Sequence, residues 1–291
     1  MLCVSERACD GAWTPRTARR MLRLLRLQTL PRRAAPPLAA LARRACGGVA
    51  RIQELVDKRT AVFEPPAAHK STVIILHGLG DTAMGWVDAA QFWQATMPNT
   101  KFVLPTAADM PVSLNFGMAM PAWYNLSGGG GSRDDELCKG IEESRAVIHE
   151  VLRREAETLA SIHGDGSVAD RRGRLALVGF SQGGALSLYA GLQARRNHVT
   201  TTSRHQHVNH RATTVLQSAA TSLACIACLS GYLPRPRSDE VRAALAGGGH
   251  PPILMAHGEA DPMVRNYHVA SVCASTPHAT HACAAPSYGC R

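Results

Sequence analysis

The run Arg174-Leu175-Ala176-Leu177-Val178-Gly179-Phe180-Ser181-Gln182-Gly183-Gly184-Ala185 constrains this chain more than any other segment. A short apolar strand pattern ends in a glycine-flanked serine, and a helical pattern from Ala185 to Gln193 follows at once. Gly179-x-Ser181-x-Gly183 in that context reads as a tight, strained strand-to-helix turn. Side chains at 179 and 183 would collide, and glycines relieve the clash. The turn leaves the Ser181 hydroxyl exposed at the sheet edge, over a helix N-terminus whose dipole favours developing negative charge.

The same alternation recurs along the chain. Thr72–Leu76, Lys101–Pro105, Arg174–Gly179, Ile226–Ser230 and Ile253–Ala256 read as strands, and Asp135–Ala160 reads as a helix with Leu137, Ile141, Ile148 and Leu152 on one face. Five strands separated by helical patterns predict an α/β fold, a mostly parallel sheet with helices on both faces. The strand order is not readable from the pattern. Ordered structure is expected from about Arg51. Residues 195–222, rich in His, Thr, Ser and Arg, interrupt the pattern as a polar insertion.

Charge excludes one class of partner. Of the formal +10, eleven arginines up to position 51 less Glu6 and Asp10 account for +9, which leaves about +1 for the remainder. A near-neutral body presents no field for phosphates, so no nucleic-acid partner is expected. Residues 1–50 have the Arg- and Ala-rich, acid-poor composition of an organelle transit peptide; the alternative is an unstructured extension with translation starting at Met21. No apolar run approaches the roughly 20 residues that cross a bilayer. Cys225 and Cys228 form a C-x-x-C inside an apolar strand, which reads as buried packing rather than redox or zinc chemistry. His205, His207 and His210 lack an accompanying carboxylate or thiol at ligand spacing, so no metal is expected.

A serine nucleophile needs a base, and the base a carboxylate that holds its tautomer. In an α/β-hydrolase the chain order is Ser, then Asp or Glu, then His. Asp261, in the loop leaving the strand Ile253–Ala256, is preferred to Glu259 because Pro262 fixes a turn there. The loop His77-Gly78-Leu79-Gly80-Asp81 follows the first strong strand, and its glycines let backbone N–H groups approach a carbonyl oxygen. With the N–H of Gln182 it builds an oxyanion hole. His77 precedes the serine and is read as structural.

Five ordered motifs carry a resemblance. Leu76-His77-Gly78-Leu79-Gly80-Asp81-Thr82, Pro121-Ala122-Trp123-Tyr124-Asn125, Gly179 to Tyr189, Leu229-Ser230-Gly231-Tyr232-Leu233-Pro234 and His257 to Val264 closely resemble the acyl-protein thioesterases, also described as lysophospholipases or carboxylesterases. The resemblance covers roughly Lys70 to Val264 without the insertion. It implies an α/β-hydrolase fold and a serine hydrolase acting on S-palmitoylated proteins, lysophospholipids and short esters, with no metal or cofactor. By motif, Ser181 is the nucleophile, Asp261 the acid, and the N–H groups of Leu79 and Gln182 the oxyanion hole. Met110–Met120 corresponds to the region that shelters the acyl chain. A cytoplasmic setting, transient contact with a membrane surface and weak homodimers are further implications.

The chain departs from that family after Val264. The family's histidine comes after an apolar strand and before a C-terminal helix, and neither element is recognisable in the tail, 265–291. His268, His278 and His281 are the histidines present there, in a segment with no strand to present them; His281 is the least unsuitable, and none is assigned as the base. The C-terminal strand and helix are therefore expected to be missing or divergent, and the tail and insertion read as unspliced or frame-shifted sequence. Two alternatives follow: an acyl-chain-binding pseudoenzyme, and a general carboxylesterase.

Overall fold

The computed structural model describes residues 51–55, 58–127, 136–163, 174–194, 223–246, 250–258 and 279–284. The expected parallel strands are present as β3 (Ser71–Leu76), β4 (Thr100–Pro105), β7 (Leu175–Phe180), β8 (Cys225–Leu229) and β9 (Ile253–Gly258). Their residues alternate between two cores. Ile74, Leu76, Leu177, Ile226 and Met255 belong to one cluster, while Val73, Ile75, Val178, Ala227 and Leu229 belong to the other. Burial on both faces is what turns these strands into near-continuous apolar runs.

With β1 (Arg51–Leu55), β2 (Lys58–Phe63) and β10 (Ala279–Ala284), the described sheet has eight strands in the order β1-β2-β4-β3-β7-β8-β9-β10. From β4 to β10 every neighbouring pair is parallel. β1 and β2 add an antiparallel edge, and the Arg-rich segment 1–50 lies outside the described residues. Helices cover both faces, as expected. α1 (Val87–Thr96) packs Trp93 against Phe102 on one side. On the other lie α2 (Ile141–His163), α3 (Gln182–Gln193) and α4 (Asp239–Ala246), through Ile148, Leu186 and Val241.

Two expectations are corrected. The helix expected from Asp135 begins only at Ile141, because the backbone turns left-handed at Cys138 (φ 48°) and Gly140 (φ 93°). Leu137 consequently lies outside the helix and is exposed, whereas Ile141, Ile148 and Leu152 are buried as the pattern required. The tail, in which no strand was expected, contains β10 (Ala279–Ala284), paired parallel to β9 from Ala279↔Ile253 to Ala284↔Gly258. Ala-Thr-His-Ala-Cys-Ala carries one β-branched residue, so nothing in its side chains announces a strand. Its backbone ladder to β9 makes it one. The insertion at 195–222 and the residues after Ala284 lie outside the described residues. No helix among the described residues is long and apolar enough to cross a membrane.

Candidate active site

Ser181 sits where β7 stops and α3 starts, with φ 51° and ψ −117°, a conformation that costs an L-residue steric energy. The glycines around it are required by contact. A Cβ on Gly179 would stand 2.1 Å from the Gly183 carbonyl oxygen, and one on Gly183 would stand 2.4 Å from the carbonyl oxygens of both Leu76 and His77. The turn is held by the Ser181 N–H donating to the Leu229 carbonyl at 2.8 Å, while Ala185 N–H donates to the Ser181 carbonyl at 2.9 Å. The Ser181 carbonyl is also closely approached by the loop after β8: a Cβ on Gly231 would lie 2.9 Å from it.

The early glycine loop lies against this elbow. A Cβ on Gly78 would meet the Phe180 ring at 3.3 Å and Ser181 Cβ at 3.6 Å. Asp81 N–H donates to the Gly78 carbonyl at 3.2 Å, and Gly80 N–H to the Pro121 carbonyl at 2.9 Å, so the loop containing Leu79 is a closed turn tied to the next hairpin. Gln182 is the first residue of α3, whose opening N–H groups have no partner within the helix and point towards the serine end. The segments holding Ser181, Leu79 and Gln182 are therefore brought together at the carboxyl end of the sheet.

His77 is buried and fully engaged. Its Nδ1–H donates to the Gly78 carbonyl at 2.7 Å, and its Nε2 accepts the Ala107 N–H at 3.0 Å. An Nε2 that accepts is unprotonated, so the ring is neutral, and burial lowers its pKa below the usual histidine value. Neither nitrogen is left to take a proton from Ser181. Cys225 and Cys228 are buried free thiols, each pushed up to about 12 by desolvation, which matches packing rather than redox chemistry. Among the described residues no group of three His, Cys, Asp or Glu side chains could hold a metal.

Asp261 lies outside the described residues, as do Glu259, His268 and His278; β9, which leads towards Asp261, ends at Gly258. His281 is placed by its backbone. Its register partner is Met255, Met255 pairs with Cys228, and Cys228 pairs with Gly179. It therefore stands mid-strand, level with Gly179 and below the serine. With β8 and β9 between β10 and β7, and about 4.8 Å per strand, the two backbones are roughly 14 Å apart. A base must come within hydrogen-bond reach of the hydroxyl, and no imidazole spans that gap. The strand sets the His281 backbone apart from the serine, and the base stays unassigned.

Sequence reasoning did not find the polar network behind the elbow. The Gln182 carboxamide, almost fully buried, accepts the Trp123 N–H at 3.0 Å and donates to the Tyr124 carbonyl at 2.6 Å. The Trp123 indole N–H donates to the His77 carbonyl at 2.8 Å. The motif Pro121–Asn125 was visible, but its role was not. Hydrogen bonds between distant segments leave no periodic signal.

Comparison with known proteins places this arrangement. The family model described as Phospholipase/Carboxylesterase matches residues 57–203, half of the chain and including both the glycine loop and the elbow. The chain belongs to the phospholipase/carboxylesterase family. Among its relatives is acyl-protein thioesterase 1 of Neurospora crassa, 34% identical over 227 residues that cover 72% of this chain and 74% of the relative. Acyl-protein thioesterase 1 of Gibberella zeae is 35% identical over 211 residues, 70% of this chain and 74% of the relative. Among solved structures, Zea mays acyl-protein thioesterase 2 superposes with a TM-score of 0.50 at 25% identity, covering 78% of this chain and 89% of that one. This family member is a hydrolase with the α/β-hydrolase fold.

Proposed function

We propose that this hydrolase removes S-palmitoyl groups from protein cysteines and also accepts lysophospholipids and short carboxylic esters. The observation that carries the reading is the strained Ser181 elbow, set against the Gly78–Gly80 turn in a chain a third identical to acyl-protein thioesterases. Ser181 Oγ attacks the thioester carbonyl carbon while its proton passes to a histidine base. The oxyanion is held by the N–H groups of Leu79 and Gln182. The C–S bond breaks, the cysteine sulfur takes the proton, and water then frees the acid from the acyl-serine. We assign Asp261 as the carboxylate that orients the base, and no histidine of the tail is assigned as that base.

Large apolar side chains support contact with a lipid surface. Met84, Leu114, Phe116, Met118 and Phe180 are all exposed; Phe180 precedes the nucleophile, and Phe116 and Met118 lie on the hairpin formed by β5 (Asp109–Val112) and β6 (Met118–Pro121). A hydrolase drawing acyl chains from a membrane needs such a rim.

A fluorophosphonate probe tests the reaction. Folded protein should label at Ser181, Ser181→Ala should abolish labelling, and palmitoyl or octanoyl thioesters should turn over faster than acetyl esters. Preference for acetyl esters would move the assignment to a general carboxylesterase. The mid-strand position of His281 favours one second reading, an acyl-chain-binding pseudoenzyme; unlabelled but folded protein that still binds a fatty acid would establish it.

A further inference from the structure

The two backbone donors of the oxyanion hole belong to segments far apart in sequence, the turn after β3 and the first residue of α3. Their separation decides whether both can reach one oxygen, and 1 Å matters. Neither segment bonds directly to the other through the donors themselves. One residue is bonded to both.

That residue is Trp123, fully buried. Its backbone N–H donates to the Gln182 side chain at 3.0 Å, and its indole N–H donates to the His77 carbonyl at 2.8 Å. Its carbonyl accepts the Ser144 hydroxyl from α2. The indole also packs on the His77 ring, with centroids 4.9 Å apart. His77 in turn holds the Gly78 carbonyl through Nδ1. Three directional bonds therefore fix Trp123 to α2, to α3 and to the glycine loop, with no freely rotating surface side chain among the partners. We propose that Trp123 is a positioning residue that sets the width of the oxyanion hole, holding the Leu79 amide at a fixed distance from the Gln182 amide. This rests on the serine-hydrolase reading above and adds to it the group that aligns the two donors.

The chemistry dictates which atom matters. The ring volume of Trp123 fills the core cluster and packs on His77, as a large apolar ring would; the indole N–H supplies its hydrogen bond to the turn. Trp123→Phe keeps most of the volume and deletes the N–H. Replacing Trp123 with β-(3-benzothienyl)alanine keeps the bicyclic shape as well and deletes only the donor. Trp93→Phe, in the cluster on the opposite face, serves as a control for the loss of a buried indole.

The measurements are kcat and KM on a soluble acyl ester, the inhibition constant of a trifluoromethyl ketone that mimics the tetrahedral oxyanion, the rate of fluorophosphonate labelling, and the melting temperature. Trp123→Phe and the benzothienyl variant should each lower kcat by about 10- to 100-fold with KM unchanged. The ketone should weaken by the same factor, since both read the oxyanion. Trp93→Phe should lower the melting temperature and leave kcat alone. Wild-type kcat and ketone affinity in the folded benzothienyl variant, or a change confined to KM, would overturn the proposal while leaving Ser181 labelling intact. Wild-type protein that never labels would instead overturn the hydrolase reading and take this inference with it.

Discussion

Gly183→Ala tests whether the elbow is shaped by close backbone contact. The added methyl would stand 2.4 Å from two carbonyl oxygens, those of Leu76 and His77, where ordinary contact begins near 3.4 Å. Because both partners are backbone, no rotamer change relieves the overlap, and α3 must retreat by about 1 Å, the difference between those two distances. Overpacking of a well-filled interior costs roughly 1–3 kcal/mol, and two rigid contacts put this case at about 3 kcal/mol. With an m-value of about 3 kcal/mol/M in urea, the unfolding midpoint should fall by ~1 M. The same retreat moves the Gln182 amide, and a misplacement of that size costs about 100-fold in rate. Urea denaturation followed by fluorescence, together with kcat on a soluble ester, reads both effects. Gly117→Ala provides the contrast. Nothing lies within 4 Å of its added methyl, and its φ of 79° imposes only backbone strain, roughly 1–2 kcal/mol. A Gly183→Ala protein with wild-type midpoint and rate would refute the steric account of the motif.

Ser181→Gly should raise stability by about 1–2 kcal/mol while abolishing hydrolysis, because glycine adopts φ 51°, ψ −117° without strain; denaturant titration that shows no gain would argue against stored strain at the nucleophile. Cys225 and Cys228 should resist a thiol reagent in the native protein and react on unfolding, since burial pushes both thiols up to about 12; prompt native labelling at either position would contradict that burial. Stability should be full above about pH 6.5 and fall as the pH drops below it. Burial lowers the folded-state pKa of His69, His77 and His149, so below 6.5 the unfolded chain binds protons that the folded chain refuses. His149→Gln should flatten part of that slope, measured as the urea midpoint at pH 7.5 and 5.5.

The parallel core was legible because its strands are buried on both faces, so Thr72–Leu76 and Leu175–Val178 stand out as apolar runs. β1 and β2 were not: Arg51, Glu54, Lys58 and Arg59 interrupt any apolar run, and cross-strand pairing at the sheet edge makes them strands. The start of α2 was set by left-handed turns at Cys138 and Gly140, which a helical period continuing through Leu137 conceals. β10 depends on its neighbour for its existence. At the site, Ser181 and its glycines could be read locally because the steric reason is local. The bonds that organise it join His77, Trp123 and Gln182 across the fold, and only the assembled chain displays them.

Every residue of α3, from Gln182 to Gln193, is buried, so this helix has no face that water would solvate before the rest of the domain exists. It packs on β7, β8 and β3 and between α2 and α4, and the amide of Ser181 finds its acceptor at Leu229, in a strand synthesised much later. A growing chain that already contains the serine still lacks the Leu229 carbonyl that fixes the Ser181 amide. The elbow can therefore take its final geometry only after β8 has joined β7.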